Sequence, residues 1–347
     1  MIKEEIIKLS EGHNLTFDEA KSVMELILTD RVTPVQTAAY LTALHIKGET
    51  IEEITGSAMC LREHAEKLDY HSDSLEIVGT GGDASHTFNI STTAAIISAA
   101  AGCKVAKHGN RASTSKSGSA DVLEELGVNI NHSAEESIKL LDELGFCFLY
   151  AQKYHCAMKY VSPVRKELGI RTIFNVLGPL TNPACAERQI LGVYDEELLK
   201  PMAQVLINMG VKRGMSAHGL DGTDEISACA PTKICEFTDG RIESYTINPE
   251  DFGYISCEAN ELRGGTPEEN AQIIRDILSG KEKGAKRNAV CMNAGAAIYI
   301  DDKASSIAEG VKIAEQLIDS GKARERLDAI IEKSQNIHVT DPQDMRQ

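Results

Sequence analysis

The arrangement of apolar and polar positions changes character once along the chain, near residues 67–74. Before that point the punctuation is helical throughout. Thr16 with Glu19, and Thr50 with Glu53, have the capping-box spacing, in which two side chains satisfy free backbone donors at a helix start. Thr33-Pro34 marks another start, because proline at the first helical position gives up no useful hydrogen bond. Gly12 and Gly48 fit as stops. These signals predict four helices before about residue 67.

Short apolar runs then appear between glycines. Residues 75–78 read as a strand that runs into Gly79-Thr80-Gly81-Gly82-Asp83. An alanine-rich helix is expected over 92–101, ended by Gly102, with a second strand at 103–107. Strand, helix and strand make a βαβ unit, whose crossover is normally right-handed. Ser133 and Glu136 cap another helix, 146–151 reads as a buried strand, 197–209 as a helix and 211–217 as a strand. Asp239-Gly240 between 233–237 and 241–247 is a hairpin signal. Three helices are expected to close the chain, the first opened by Thr266-Pro267. The expected fold class is α/β: a small N-terminal helical domain, residues 1–67, and a larger α/β domain, residues 72–347, with a central, mostly parallel sheet. Segment 163–185, with three prolines and two glycines, is expected to cross back to the helical domain.

Composition narrows the function. A chain of 347 residues with 42% apolar and 25% charged residues can bury a core and is not disordered. The nine cysteines are odd in number and form no CxxC, so reduced, mostly buried thiols in a cytoplasmic protein are expected. No apolar run approaches the ~20 residues that cross a bilayer, and the amino terminus lacks a signal-peptide pattern. No membrane partner is expected. A net charge of −16 repels nucleic-acid backbones, so no nucleic-acid partner is expected either. The local concentration of positive groups, Lys104, Lys107, His108, Arg111 and Lys116, lies among glycines, serines and threonines. That mixture suits a small phosphorylated ligand.

Four segments carry candidate chemistry. The Gly79–Asp83 turn falls at the carboxyl end of a strand, where open α/β sheets bind ligands, and its glycines let backbone N–H groups approach an anion. A tight turn without a ligand would look the same. Asn89-Ile90-Ser91-Thr92 places three small polar side chains at a helix start, where free N–H groups and the helix dipole favour an anion. Simple capping needs only one of them. Ser91 could also offer its hydroxyl to a metal. Lys107 to Ser119 combines two lysines and an arginine with hydroxyl side chains after the second strand. Asp221-Gly222-Thr223-Asp224-Glu225 is either a solvated turn or, beside phosphates, a Mg²⁺ holder.

Taken together, GTGGD at 79–83, NIST at 89–92, KHGNR at 107–111, FNVLGPLTNP at 174–183 and DGTDEIS at 221–227 resemble, in the same order, the motif series of the anthranilate phosphoribosyltransferases. The resemblance spans nearly the whole chain. It implies a nucleoside phosphorylase/phosphoribosyltransferase-like fold, usually a homodimer through the helical part, with 5-phosphoribosyl 1-diphosphate and anthranilate as substrates and Mg²⁺ as cofactor. By motif match, Gly79, Gly82, Asp83, Thr87, Asn89, Ile90, Ser91, Thr92, Lys107, His108, Gly109, Asn110, Arg111, Ala112, Ser113, Thr114, Ser115 and Ser119 would contact the ribosyl donor. Ser91, Asp224 and Glu225 would hold Mg²⁺, and Asn110 and Arg165 would contact anthranilate.

Lys107, His108 and Arg165 are the catalytic candidates, Lys107 by neutralising leaving charge and Arg165 by the planar fork that suits a carboxylate. Without the resemblance, Arg165 reads as a surface arginine. His108 either donates to substrate or shapes its loop. Two positions depart from the family pattern: Ala112 stands where a hydroxyl residue is expected, and Cys156 where a proline is usual. A pyrimidine-nucleoside phosphorylase, and a nucleic-acid-binding relative without catalysis, are the competing readings.

Overall fold

The structure, a computed structural model, describes residues 2–70, 73–112 and 115–337. Four helices open it: α1 (Lys3–Ser10), α2 (Phe17–Leu28), α3 (Pro34–Lys47) and α4 (Ile51–Glu63). Thr16, Thr33 and Thr50 each close a capping box with the residue three positions on. Glu53, fully buried, also receives the Leu15 N–H at 2.8 Å and pairs with Lys47 at 2.9 Å, tying two inter-helix loops together.

The chain then alternates through β1 (Leu75–Gly79), α5 (Ile90–Ala100), β2 (Val105–Gly109), α6 (Ser119–Glu125), α7 (Ala134–Leu144) and β3 (Phe146–Tyr150). Three short helices follow, α8 (Ala151–Tyr154), α9 (Ser162–Leu168) and α10 (Phe174–Leu180). Next come β4 (Arg188–Gly192), α11 (Leu199–Asn208), β5 (Arg213–Gly219) and the hairpin β6 (Thr232–Thr238) to β7 (Arg241–Ile247). The close consists of α12 (Pro267–Leu278), α13 (Ala285–Ile300), α14 (Ile307–Asp319) and α15 (Lys322–Asn336). That is four helices where the sequence pattern suggested three. Ser306 caps α14 by accepting the Glu309 N–H, and left-handed Gly321 (φ 81°) separates α14 from α15.

The seven strands form one sheet in the order β3-β2-β1-β4-β5-β6-β7. The first five are parallel, and the β6–β7 hairpin adds an antiparallel edge. The α/β class with a mostly parallel sheet is therefore as expected. Helix α5 is buried almost all round, which explains its small and β-branched residues: a helix without a solvent face carries no polar stripe.

Val164 of α9 and Phe174, Leu177 and Leu180 of α10 share a buried cluster with Met24, Tyr40 and Leu61 of the opening helices. Arg62 of α4 reinforces that contact by donating to the carbonyls of Leu180 (2.8 Å) and Met209 (2.9 Å). All nine cysteines are unpaired, five of them buried. No helix among the described residues is long and apolar enough to cross a membrane.

Candidate active site

Strand order reverses between β1 and β4, and such a switch point opens a crevice at the carboxyl ends of the strands. Gly79 and Gly192 end those two strands and face each other in register. A side chain at either would collide with the acidic segment. A Cβ on Gly79 would stand 2.2 Å from Asp224 Oδ2, and one on Gly192 would stand 1.6 Å from the Asp224 carbonyl oxygen. The paired glycines are the slot that admits the acidic segment to the sheet edge. Asp224 then accepts the Gly81 N–H at 2.6 Å, so this carboxylate also fixes the glycine turn. Gly81 and Gly82 hold φ of 69° and 74°, a left-handed path that residues with side chains seldom take.

Three carboxylates meet here. Asp224 is raised to about 7 by burial and then by the charge of Asp83, and Glu225 to about 8 by burial and then by Asp224. Asp83 also accepts the Thr223 hydroxyl at 3.4 Å. The Ser91 N–H, in the first turn of α5, donates to Glu225. The acidic segment is thus bonded to both the glycine turn and the helix start.

Lys107 supplies the opposing charge. It is 2% exposed, and its Nζ donates to the Ile77 carbonyl (2.7 Å) and the Ser91 hydroxyl (3.3 Å). Burial lowers its affinity for a proton, while Glu76 and Glu225 raise it. One ammonium cannot neutralise all of these acids, so without a further cation Asp224 and Glu225 hold on to their protons. The oxygen-only donors and the raised carboxylates therefore fit a hard divalent cation such as Mg²⁺.

Other expected positions are held by bonds within the chain. Asn89 donates to the Ser117 carbonyl (3.2 Å) and accepts from Asn270 (2.9 Å), locking the start of α5. Thr87 forms a bridge with Arg263. Gly109 lies against Ser119, whose hydroxyl donates to the Asn110 carbonyl at 3.4 Å. Arg111 bonds Tyr150 (3.0 Å), Asp121 (3.1 Å) and Glu124 (3.0 Å), so its charge is already compensated. The Ala112 N–H donates to Asp121 at 2.8 Å, and the Ser115 hydroxyl to the Ser117 carbonyl at 3.4 Å. Ser113 and Thr114 lie outside the described residues. The positive cluster also divides: Lys104 sits at the opposite end of β2, bonded to Tyr70 (2.7 Å) and Asp142 (3.1 Å). Cys156 opens a 3₁₀ turn, its thiol on the Lys153 carbonyl at 3.4 Å.

His108 and His155 are both buried, with ring centroids 5.0 Å apart. Burial holds both below the usual imidazole range, His155 at about 4. Neither carries charge at neutral pH. Arg165 is half-buried with its guanidinium 5.4 Å from the Phe174 ring centre, and no carboxylate pairs with it among the described residues.

Two structural contributors escaped sequence reading. Arg171 donates to the Gly82 carbonyl and stacks 4.1 Å from the Tyr194 ring centre, pinning the glycine turn. Glu76, fully buried on β1, receives the His108 N–H at 2.9 Å and the Asn182 amide. An isolated Arg and an isolated strand Glu carry no motif signal; alternation on β1 only marks that Glu76 faces away from Ile77.

Burial raises Glu76 to about 7 from an ordinary 4.5. The folded state therefore retains a proton that the unfolded chain releases. This term is full below pH 4.5 and is lost as pH rises through 7. Glu76→Gln keeps the shape without the titration, so its melting temperature should fall less than the parent's between pH 5 and pH 8. Parallel curves for the two proteins would contradict this.

Residues 3–65 match the model of the glycosyl transferase family helical bundle domain, and residues 71–324 that of its α/β domain. The anthranilate phosphoribosyltransferase of Methanobrevibacter smithii is 56% identical over 332 residues, covering 96% of this chain and 99% of the relative. The chain belongs to the anthranilate phosphoribosyltransferase family. The family's crystal structure from Thermus thermophilus superposes with a TM-score of 0.90 at 42% identity, covering 95% of this chain and 99% of the other. The Saccharomyces cerevisiae enzyme, solved in complex with PRPP and Mg, gives 0.88 at 29% identity, covering 96% and 99%.

Proposed function

We propose that this chain transfers the phosphoribosyl group of 5-phosphoribosyl 1-diphosphate to anthranilate, giving N-(5-phosphoribosyl)anthranilate and diphosphate in tryptophan biosynthesis. The observation that carries this reading is the convergence of Asp83, Asp224 and Glu225 with Lys107 at the glycine turn, within a chain of this family. Asp224, Glu225 and the Ser91 hydroxyl would hold Mg²⁺, which when bound would supply positive charge to the diphosphate. The facing acids separate this reading from nucleoside phosphorolysis, in which no diphosphate leaves.

The chain's own residues mostly place and polarise. Lys107 faces the leaving charge from a fixed position, so little reorganisation is needed as the ribosyl carbon becomes cationic. Gly79, Gly82, Asp83, Thr87, the 89–92 segment, the 107–115 loop and Ser119 form the donor side. Asn110 and Arg165 form the acceptor side, with Arg165 pairing the anthranilate carboxylate. His108 is a neutral hydrogen-bonding group; aniline-type amines are free bases near neutral pH and need little help losing a proton. Residues 1–67 form the helical domain, to which segment 163–185 crosses back, and 72–347 the α/β domain, of a cytoplasmic homodimer; the two matched family models support the boundary and the α4–α10 packing supports the crossing.

The direct test follows anthranilate fluorescence with 5-phosphoribosyl 1-diphosphate. Loss of signal should require both the donor and Mg²⁺ and should stop on adding a chelator. Persistence of the signal in folded protein would overturn the proposal. Arg165→Ala is expected to raise the KM for anthranilate at least about tenfold and that for the donor much less, since a charge-assisted pair contributes ~1.5–3 kcal/mol. Equal rises would count against the acceptor role.

A further inference from the structure

Away from the crevice, the helical part brings three ligating side chains of different chemistry together. Cys60 and His64 lie four residues apart on α4 and its C-cap, hence on one face, and Glu25 reaches them from α2. Glu25 Oε2 is 3.6 Å from the Cys60 sulfur and 3.2 Å from His64 Nε2. One ligand atom from each of the three residues lies within 4.8 Å of the others, and the His64 ring reaches to 3.9 Å of the Cys60 sulfur at Nδ1.

From these distances we propose that Glu25, Cys60 and His64 form a binding site for a zinc-class divalent cation, with a water as fourth ligand. Bond lengths of about 2.0–2.3 Å to oxygen, nitrogen and sulfur imply tetrahedral edges of about 3.3–3.6 Å. The two closest separations sit at that spacing, so little side-chain movement is needed. His64 is also oriented for the task. Its Nδ1 lies 3.0 Å from the Cys60 carbonyl, to which it donates, and this directs Nε2 toward Glu25, the arrangement that typically fixes a metal-binding imidazole. In the metal-free protein the Cys60 thiol donates to the same Glu25 oxygen that pairs with His64, so all three groups already converge on one point, which a cation would occupy.

The chemistry balances. The cation displaces the thiol proton to solvent, and the thiolate and the Glu25 carboxylate then neutralise its two charges, with His64 neutral. The side chains of His64 and Glu25 are 26% and 46% exposed, so the ion and its water have an open approach, while Cys60 closes the inner side. A thiolate favours zinc over magnesium, which separates this site from the oxygen-only acids of the crevice. Bound metal would join α2 to the end of α4. Arg62, within the last turn of α4, grips the carbonyls of Leu180 and Met209, so the joint lies where the opening helices meet the rest of the molecule.

The test uses the full, reduced, metal-stripped chain titrated with Co²⁺. One equivalent should produce a thiolate-to-cobalt charge-transfer band in the near ultraviolet, and Zn²⁺ should remove it and raise the melting temperature. Cys60→Ser should abolish the band, and His64→Asn should weaken Co²⁺ binding at least about tenfold. The Cys229→Ser/Cys257→Ser double variant should keep it, although those two sulfurs lie 2.7 Å apart and are the obvious competing thiols. Absence of the band in the parent, its survival in Cys60→Ser, or unchanged Co²⁺ affinity in His64→Asn would overturn the proposal. If Cys60→Ser does not fold, His64→Asn, at a half-exposed helix end, decides the matter alone.

Discussion

Lys107→Met is expected to lower kcat/KM for 5-phosphoribosyl 1-diphosphate by about 10²–10³, the usual consequence of losing a placed electrostatic donor. The side chain is replaced by one of similar length, so the slot between Ile77 and Ser91 stays filled. What disappears is the charge. Glu76 and Glu225 both depend on it, and breaking a buried charge pair by removing one partner costs about 3–5 kcal/mol. The variant should therefore unfold at lower urea concentration as well as turn over slowly. The kinetic loss should appear in the donor parameters, with the KM for anthranilate little changed. Activity within a few-fold of the parent would remove Lys107 from the mechanism.

Gly192→Ala tests the scaffold under the acids, and its effect is expected to be of similar size. The added methyl would lie 1.6 Å from the Asp224 carbonyl oxygen and 2.4 Å from the carbonyl carbon. Those are backbone atoms, so a side-chain rotation cannot relieve the clash. Either β4 or the 221–225 segment must shift. Overpacking of this kind typically costs about 1–3 kcal/mol, which a domain of this size can tolerate while still folding. Function is more sensitive, because Asp224 also holds the Gly81 N–H and so the turn itself. Activity should fall by about 10² or more and require higher Mg²⁺, since a displacement of about 1 Å is enough for such a loss. A folded variant with the parent's Mg²⁺ response would show that the glycine pair has no part in placing the acids.

Local patterns were legible where the physics is local. A capping box needs only residues three apart, and those at Thr16, Thr50 and Ser133 all form, while Thr266-Pro267 opens α12 as expected. The Asp239-Gly240 turn joins β6 to β7 for the same reason. Boundaries moved where a neighbour decided them. Helix α5 starts at Ile90, two residues before its expected start, because Asn89 is braced from outside by Ser117 and Asn270. Arg111 shows the limit at the candidate site. Its place in a basic, hydroxyl-rich loop suggests a phosphate ligand, and only the fold shows that Asp121 and Glu124 on the following helix hold it in place. Lys104 is adjacent in sequence to the same cluster but points from the other end of a strand.

The sequence by itself determined the class of this protein. Glycines and small polar residues in a fixed order, helix caps and short apolar runs are properties of neighbouring residues, and they establish the α/β plan and the motif series. The tertiary structure decided how the motifs work on one another. Gly192 meets Asp224, Glu76 meets Asn182 and Arg171 meets Gly82 across separations of many tens of residues. Such contacts follow from strand order and register, because only the sheet brings the ends of β1, β2 and β4 to a common edge. Burial at that edge then raises the carboxylates and leaves Lys107 as their counter-charge, a consequence of desolvation that has no counterpart in an extended chain.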